Sequence, residues 1–164
     1  MSIKRQRRDR VNFYLDLAET VSNNSTCIYK RCGAVLVNND TVITTGYTGA
    51  PKGRQNCIDM EVCTKDTSGF CRAIHAETNA VLFAIRADTH GGSLYVVRID
   101  VDKEGKDIGY VKNHDCCEFC KMLLINSGIR DVYIRVSKDE YIRQTVMEWI
   151  EKDDTLNPNP SMHR

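Results

Sequence analysis

The chain carries two short motifs that its fold has to bring together. His75-Ala76-Glu77 and Cys117-Glu118-Phe119-Cys120 lie far apart in sequence, yet one imidazole and two thiols are a natural ligand set for a single zinc ion. Three protein ligands leave the fourth tetrahedral position to water, which separates a catalytic zinc from a structural one closed by four. Each motif opens a helical pattern. The chain must therefore set two helix starts side by side, with Glu77 facing the shared ion.

Local geometry supports that reading. Cys117 and Cys120 are spaced so that both sulfurs leave a first helical turn in the same direction. The unpaired N–H groups of a helix start favour the thiolate form that metals require. His75 and Glu77 diverge within a regular helix and converge only at the mouth of one. Each part alone is weak, because Cys-x-x-Cys also serves redox motifs and zinc fingers and a first-turn Glu can simply answer the helix dipole. The combination matches the signature of zinc nucleobase deaminases, in which the glutamate moves protons and is not a ligand. The alternative from another class is a closed, non-catalytic zinc module, which has no use for Glu77.

Bulk properties narrow the setting. At 164 residues the chain fits one domain, with a core over about residues 9–152 and a tail from 153 to 164. The formal net charge of +1 gives no general attraction to polynucleotides or membranes. The basic run Lys4-Arg5-Gln6-Arg7-Arg8-Asp9-Arg10 could touch phosphates, but such a short terminal run is usually only solvated. No apolar stretch is long enough to span a bilayer and no signal-peptide core is present, so a cytoplasmic location is expected. In a reducing compartment the eight cysteines read as metal ligands more readily than as disulfides. Cys32, beside the apolar run from Ala34 to Val37, reads as a small buried hydrophobe.

The coarse pattern predicts a helix over 9–22 and a hairpin of strands over 33–37 and 41–45. A loop from Gly46 to Cys71 follows, too long to stay structureless unless function or a metal organises it. Further elements are a buried helix over 75–87, a strand over 94–99 with a return arm over 107–112, a helix over 117–126 capped by Gly128, and a strand over 132–136. A closing helix is expected over 141–150, with Ile142, Val146 and Trp149 or Ile150 on one side. Strands alternating with helices argue for a three-layer α/β/α sandwich.

With these residues in hand, the chain resembles the deoxycytidylate (dCMP) deaminase family within the cytidine deaminase superfamily. The likeness runs through Gly33-Ala-Val-Leu-Val37, Gly46-Tyr-Thr-Gly-Ala-Pro-Lys-Gly53, His75-Ala-Glu-Thr-Asn-Ala80, Leu94-Tyr-Val96 and Ser127-Gly-Ile129. The resemblance implies a central five-stranded mixed sheet and conversion of dCMP to dUMP for thymidylate synthesis. It also implies a homo-oligomer, often a hexamer, with dCTP and dTTP as effectors. It assigns the catalytic zinc to His75, Cys117 and Cys120, proton transfer to Glu77, and a place on the substrate side to Thr48 and Ala76. A second, structural zinc is implied at Cys27 and Cys57, with Cys63 and Cys71 completing it. Three features depart from the pattern. Cys116 stands where the family has proline and is either a spare thiol or a rival ligand. Thr48 stands where the family has an asparagine that contacts the nucleotide sugar. Residues 100–112 add length that reads as a surface hairpin, or as a flap near the site mouth.

Overall fold

The computed structural model describes residues 5–113 and 115–156. The first helix, α1 (Arg10–Ser22), starts behind Asp9, whose carboxylate accepts the Asn12 N–H as an N-cap. Strands β1 (Lys30–Asn38) and β2 (Thr41–Tyr47) form the expected hairpin. Its turn residues Asn39 and Asp40 sit at φ of 48° and 58°, a left-handed geometry that short polar side chains tolerate. The long loop is organised by two short helices, α2 (Cys57–Met60) and α3 (Thr64–Ser68). The chain then runs through α4 (Ala76–Leu82), α5 (Arg86–Thr89), β3 (Ser93–Val101), β4 (Asp107–Tyr110) and α6 (Glu118–Ser127). It ends in β5 (Asp131–Arg135), β6 (Tyr141–Thr145), α7 (Val146–Lys152) and a 3-10 turn (Asp154–Leu156). The expected tail lies mostly beyond the described residues. None of the described helices is long and apolar enough to cross a membrane.

The mixed sheet has the order β2-β1-β3-β5-β6, and β4 pairs with the far end of β3. Only β3 and β5 run parallel among these pairs, with α6 as the crossover between them. Side-chain alternation splits the core. Ala34, Leu36, Leu94, Val96, Val132 and Ile134 face α4, α6 and α7, while Val35, Val37, Tyr95 and Val97 face α1. On the α1 face, Arg135 is buried and bonds Asp16 at 2.6 Å and Glu19 at 2.8 Å, which pins the helix to β5. The three-layer sandwich of the sequence reading is present, with a six-stranded sheet in place of five strands.

Two expected elements differ. The helix expected over 75–87 stops at Phe83, and a separate turn, α5, follows. The closing helix expected over 141–150 is a strand followed by a helix: Tyr141–Thr145 pairs antiparallel with β5, and α7 begins only at Val146. Thr145 and Glu148 form a reciprocal capping box there, which stops the helix from extending back. Ile142 and Val146 have helical spacing, but edge pairing wins over it. The added segment 100–112 is a hairpin held on the α1 face, where Arg31 pairs with Asp107 at 2.6 Å and the Tyr110 hydroxyl donates to Glu19 at 3.0 Å.

Gly46 controls how α4 is seated. A methyl on it would lie 2.4 Å from the Ala76 carbonyl oxygen and 2.4 Å from the Ala80 nitrogen, both backbone atoms of the α4 segment. Gly46→Ala should therefore cost about 1–3 kcal/mol as an overpacking substitution. Thermal unfolding should read this as a midpoint lowered by roughly 2–4 °C for each kcal/mol. An unchanged midpoint would show that α4 is not seated on β2 in this way.

Candidate metal centre

Both halves of the site are built at helix N-caps. His75 has extended backbone at the N-cap of α4, φ −69° and ψ 154°, and makes no side-chain capping bond, so its ring is free to turn toward α6. Cys117 occupies the same position on α6, φ −66° and ψ 157°, and its sulfur accepts the Cys120 N–H at 3.4 Å. His75 Nδ1 lies 3.4 Å from the Cys117 sulfur and 3.4 Å from the Cys120 sulfur. A tetrahedral zinc with ordinary Zn–N and Zn–S bonds separates such atoms by about 3.5 Å, so the spacing fits the ion. Among the described residues this trio alone gathers three or more His, Cys, Asp or Glu ligand atoms within 4.8 Å of one another.

The electrostatics suit a metal. Bonds from Cys120 and His75 drive the Cys117 thiol well below its ordinary range, against burial. Cys120, as the donor to Cys117 and largely buried, is driven up. His75 is raised by its bond to Cys117, with burial opposing and the charge of Glu77 adding. The Cys120 N–H, bonded to the Cys117 sulfur, and Thr78 Oγ1, 3.7 Å from the Cys120 sulfur, steady the pair. His75 and Cys117 reach the surface while Cys120 is buried, so the site opens outward.

Glu77, in the first turn of α4, is 4% exposed. Its Oε1 accepts from Arg98 Nη2 at 2.9 Å, and the Cys116 sulfur approaches the same oxygen at 3.9 Å. Cys116 is therefore turned to Glu77 and Arg98 and does not join the ligand trio. Burial pushes its thiol up, keeping it neutral. Arg98 was not singled out by the motifs. The signal was there in the alternation Leu94, Val96, Arg98, which puts a charged side chain on a core-facing row.

Thr48 and Ala76 are brought together, but with each other: the Thr48 hydroxyl accepts the Ala76 N–H at 3.1 Å. Lys52 lies over the Phe83 ring, 4.3 Å from its centre. Cys27, Cys57, Cys63 and Cys71 lie on segments that hydrogen bonds join in two pairs. The Ile58 N–H bonds the Thr26 carbonyl at 3.3 Å, setting Cys57 beside Cys27, and Arg72 N–H meets Thr64 Oγ1 at 3.5 Å, setting Cys71 near Cys63. No three of Cys27, Cys57, Cys63 and Cys71 come as close together as the first trio does. Cys32 is a core residue whose thiol burial pushes up to about 12, as its apolar reading requires.

Residues 8–136 match the cytidine and deoxycytidylate deaminase zinc-binding region. The chain is 32% identical over 139 residues to a deoxycytidylate deaminase of Mycobacterium phage D29, covering 77% of this chain and 94% of that one. It is 28% identical over 127 residues to a deoxycytidylate deaminase of Saccharomyces cerevisiae, covering 74% of this chain and 36% of the longer yeast protein. In fold it is similar to the dCMP deaminase of cyanophage S-TIM5 solved in complex with dCMP and dUMP, with a TM-score of 0.56 and 23% identity over 80% of this chain and 84% of that one.

The geometry sorts the cysteines by experiment. Cys117→Ser or His75→Ala should remove one zinc per chain by metal analysis, whereas Cys116→Ser should keep it. Loss of zinc from Cys116→Ser would assign the wrong sulfur.

Proposed function

Because the chain belongs to the cytidine and deoxycytidylate deaminase family, we propose that its metal centre hydrolyses dCMP to dUMP and ammonia. One observation carries this reading: an imidazole and two sulfurs gathered at two helix starts, with a buried carboxylate on the first turn of one of them. His75, Cys117 and Cys120 would hold a zinc ion. When bound, zinc makes hydroxide available near neutral pH.

Glu77 does the proton work. The overall change breaks the C4–N bond, forms a C4–O bond and consumes one water. Of that water's protons, one ends on ring N3 and the other leaves with the amine as ammonia, and Glu77 carries both in turn. Burial keeps bulk water from competing for the carboxylate. Cys116 does not fill a fourth ligand position, since its sulfur faces Arg98 and Glu77, which supports an open catalytic centre over a closed structural module. The Thr48 hydroxyl accepts the Ala76 N–H, which takes one of its two acceptor lone pairs and leaves it less to offer a sugar or a base. The near-neutral charge supports a mononucleotide over a polynucleotide.

Glu77→Gln should retain zinc while ammonia release from dCMP falls by at least about 100-fold. A panel of dCMP, CMP, deoxycytidine and single-stranded DNA should give fastest turnover on dCMP, and faster turnover on any of the others would reassign the substrate.

The second, structural zinc at Cys27, Cys57, Cys63 and Cys71 belongs to the same reading, supported by the hydrogen bonds that pair their segments. A homo-oligomer is supported by Leu82, Phe83, Ile85, Phe119 and Met122, all large, apolar and exposed on α4 and α6 or between α4 and α5. Native mass spectrometry tests both at once. The expected species is an oligomer with two zinc ions per chain; a monomer, or one zinc per chain, removes the corresponding proposal.

A further inference from the structure

We propose that Arg98 is the positioning residue for Glu77: its guanidinium fixes one carboxylate oxygen and leaves the other free to carry protons. The proposal rests on the deaminase reading above and names how this chain aims its proton carrier.

Strand β3 places Leu94, Val96 and Arg98 on the face toward α4 and α6. The first two are core residues. Arg98 follows them into the same layer, paired across the sheet with Cys32. Its side chain is 14% exposed and that of Glu77 is 5% exposed, so their 2.9 Å contact is largely shielded from water. Among the described residues every hydrogen bond to the Glu77 carboxylate falls on Oε1, from Arg98 and from the Cys116 thiol. Oε2 takes none. A glutamate side chain has several free torsions, and proton delivery to two different atoms needs one oxygen held and the other unengaged.

The same guanidinium reaches the other half of the site. Its Nη1 donates to the Asp115 carbonyl at 2.7 Å, in the segment that delivers Cys117 to the start of α6. That segment is held from its far side by Lys121, whose Nζ meets the Asp115 carboxylate at 2.6 Å. The Arg98 carbonyl accepts the Val111 N–H at 3.0 Å, where the chain returns from the 102–110 excursion. Arg98 therefore sets Glu77 relative to the ligand-bearing loop, and not merely relative to its own strand. A guanidinium stays charged at every working pH and so cannot itself carry the proton. Its role is geometric.

The test compares Arg98→Met and Arg98→Lys with the wild-type chain. Both variants should keep their zinc and bind dUMP within about threefold of wild type, because neither contact involves a ligand atom. For Arg98→Met, kcat on dCMP should fall about 100-fold with KM nearly unchanged, the pattern of a misaimed group. Arg98→Lys should recover about tenfold of that loss. In a Glu77→Gln background Arg98→Met should have no further effect on turnover. A crystal structure of Arg98→Met should show the Glu77 carboxylate moved or in two conformers. An Arg98→Met enzyme with wild-type kcat, or with Glu77 unmoved, overturns the proposal, and so does loss of zinc from both variants, which would make Arg98 part of the scaffold. If the methionine variant does not fold, Arg98→Gln reads the same quantities. Wild-type protein that fails to deaminate dCMP overturns the functional reading itself, whereas turnover insensitive to residue 98 overturns only this inference.

Discussion

The site exists because two helices begin at the same point. His75 and Cys117 are N-cap residues of α4 and α6, and a side chain at an N-cap can turn across the helix mouth in a way that one inside the helix cannot. The sheet enforces the meeting. The parallel pair β3 and β5 requires a crossover, which α6 supplies, so α6 begins beyond the carboxyl end of β3. On the same face α4 rests directly on β2, where Gly46 has no side chain to hold them apart. Open α/β sheets bind ligands at the carboxyl ends of their parallel strands for this kind of reason.

Much of this could be read from residues. The two motifs pointed to the trio of His75, Cys117 and Cys120 that the fold gathers at two helix starts, and the unbroken β-rich runs Gly33–Val37 and Leu94–Val97 marked the central strands. The reading failed where one local pattern imitated another. Ile142, Val146 and Trp149 repeat at helical spacing, but Tyr141–Thr145 finds a partner edge on β5, and a strand's backbone bonds outweigh a short amphipathic stripe. The Thr-x-x-Glu spacing of Thr145 and Glu148, a capping box, fixes the true helix start. The helix expected through Ala87 ended early because Phe83 leaves helical geometry, φ −94° and ψ 0°, with no Gly or Pro to announce it.

Contacts made across the molecule were less accessible. That the Thr48 hydroxyl would accept the Ala76 N–H depends on β2 and α4 lying together, which no short motif encodes. An asparagine at the same place would have an amide with both a donor and an acceptor to divide between protein and ligand, while threonine has one hydroxyl. The substitution therefore narrows what this position can offer a substrate, and leaves the metal centre untouched.

Arg98 shows the same limit more sharply. In the run Leu94 to Ile99 its charge looks like a strand's polar face, yet the register puts it on the buried row with Leu94 and Val96. Burying two charges is unfavourable unless they meet with good geometry, and removing one partner of a buried pair typically costs about 3–5 kcal/mol. Burial works against the Arg98 charge, but the Glu77 carboxylate together with the neighbouring Cys116 and Cys32 outweighs it and holds the guanidinium above its ordinary pKa. Replacing both by apolar groups would satisfy stability alone. A proton-carrying carboxylate, the role proposed for Glu77, has to stay aimed within that dry layer and cannot be replaced in that way. It needs a permanent cation at a fixed distance, and β3 is the rigid element from which one reaches both Glu77 and the loop before Cys117.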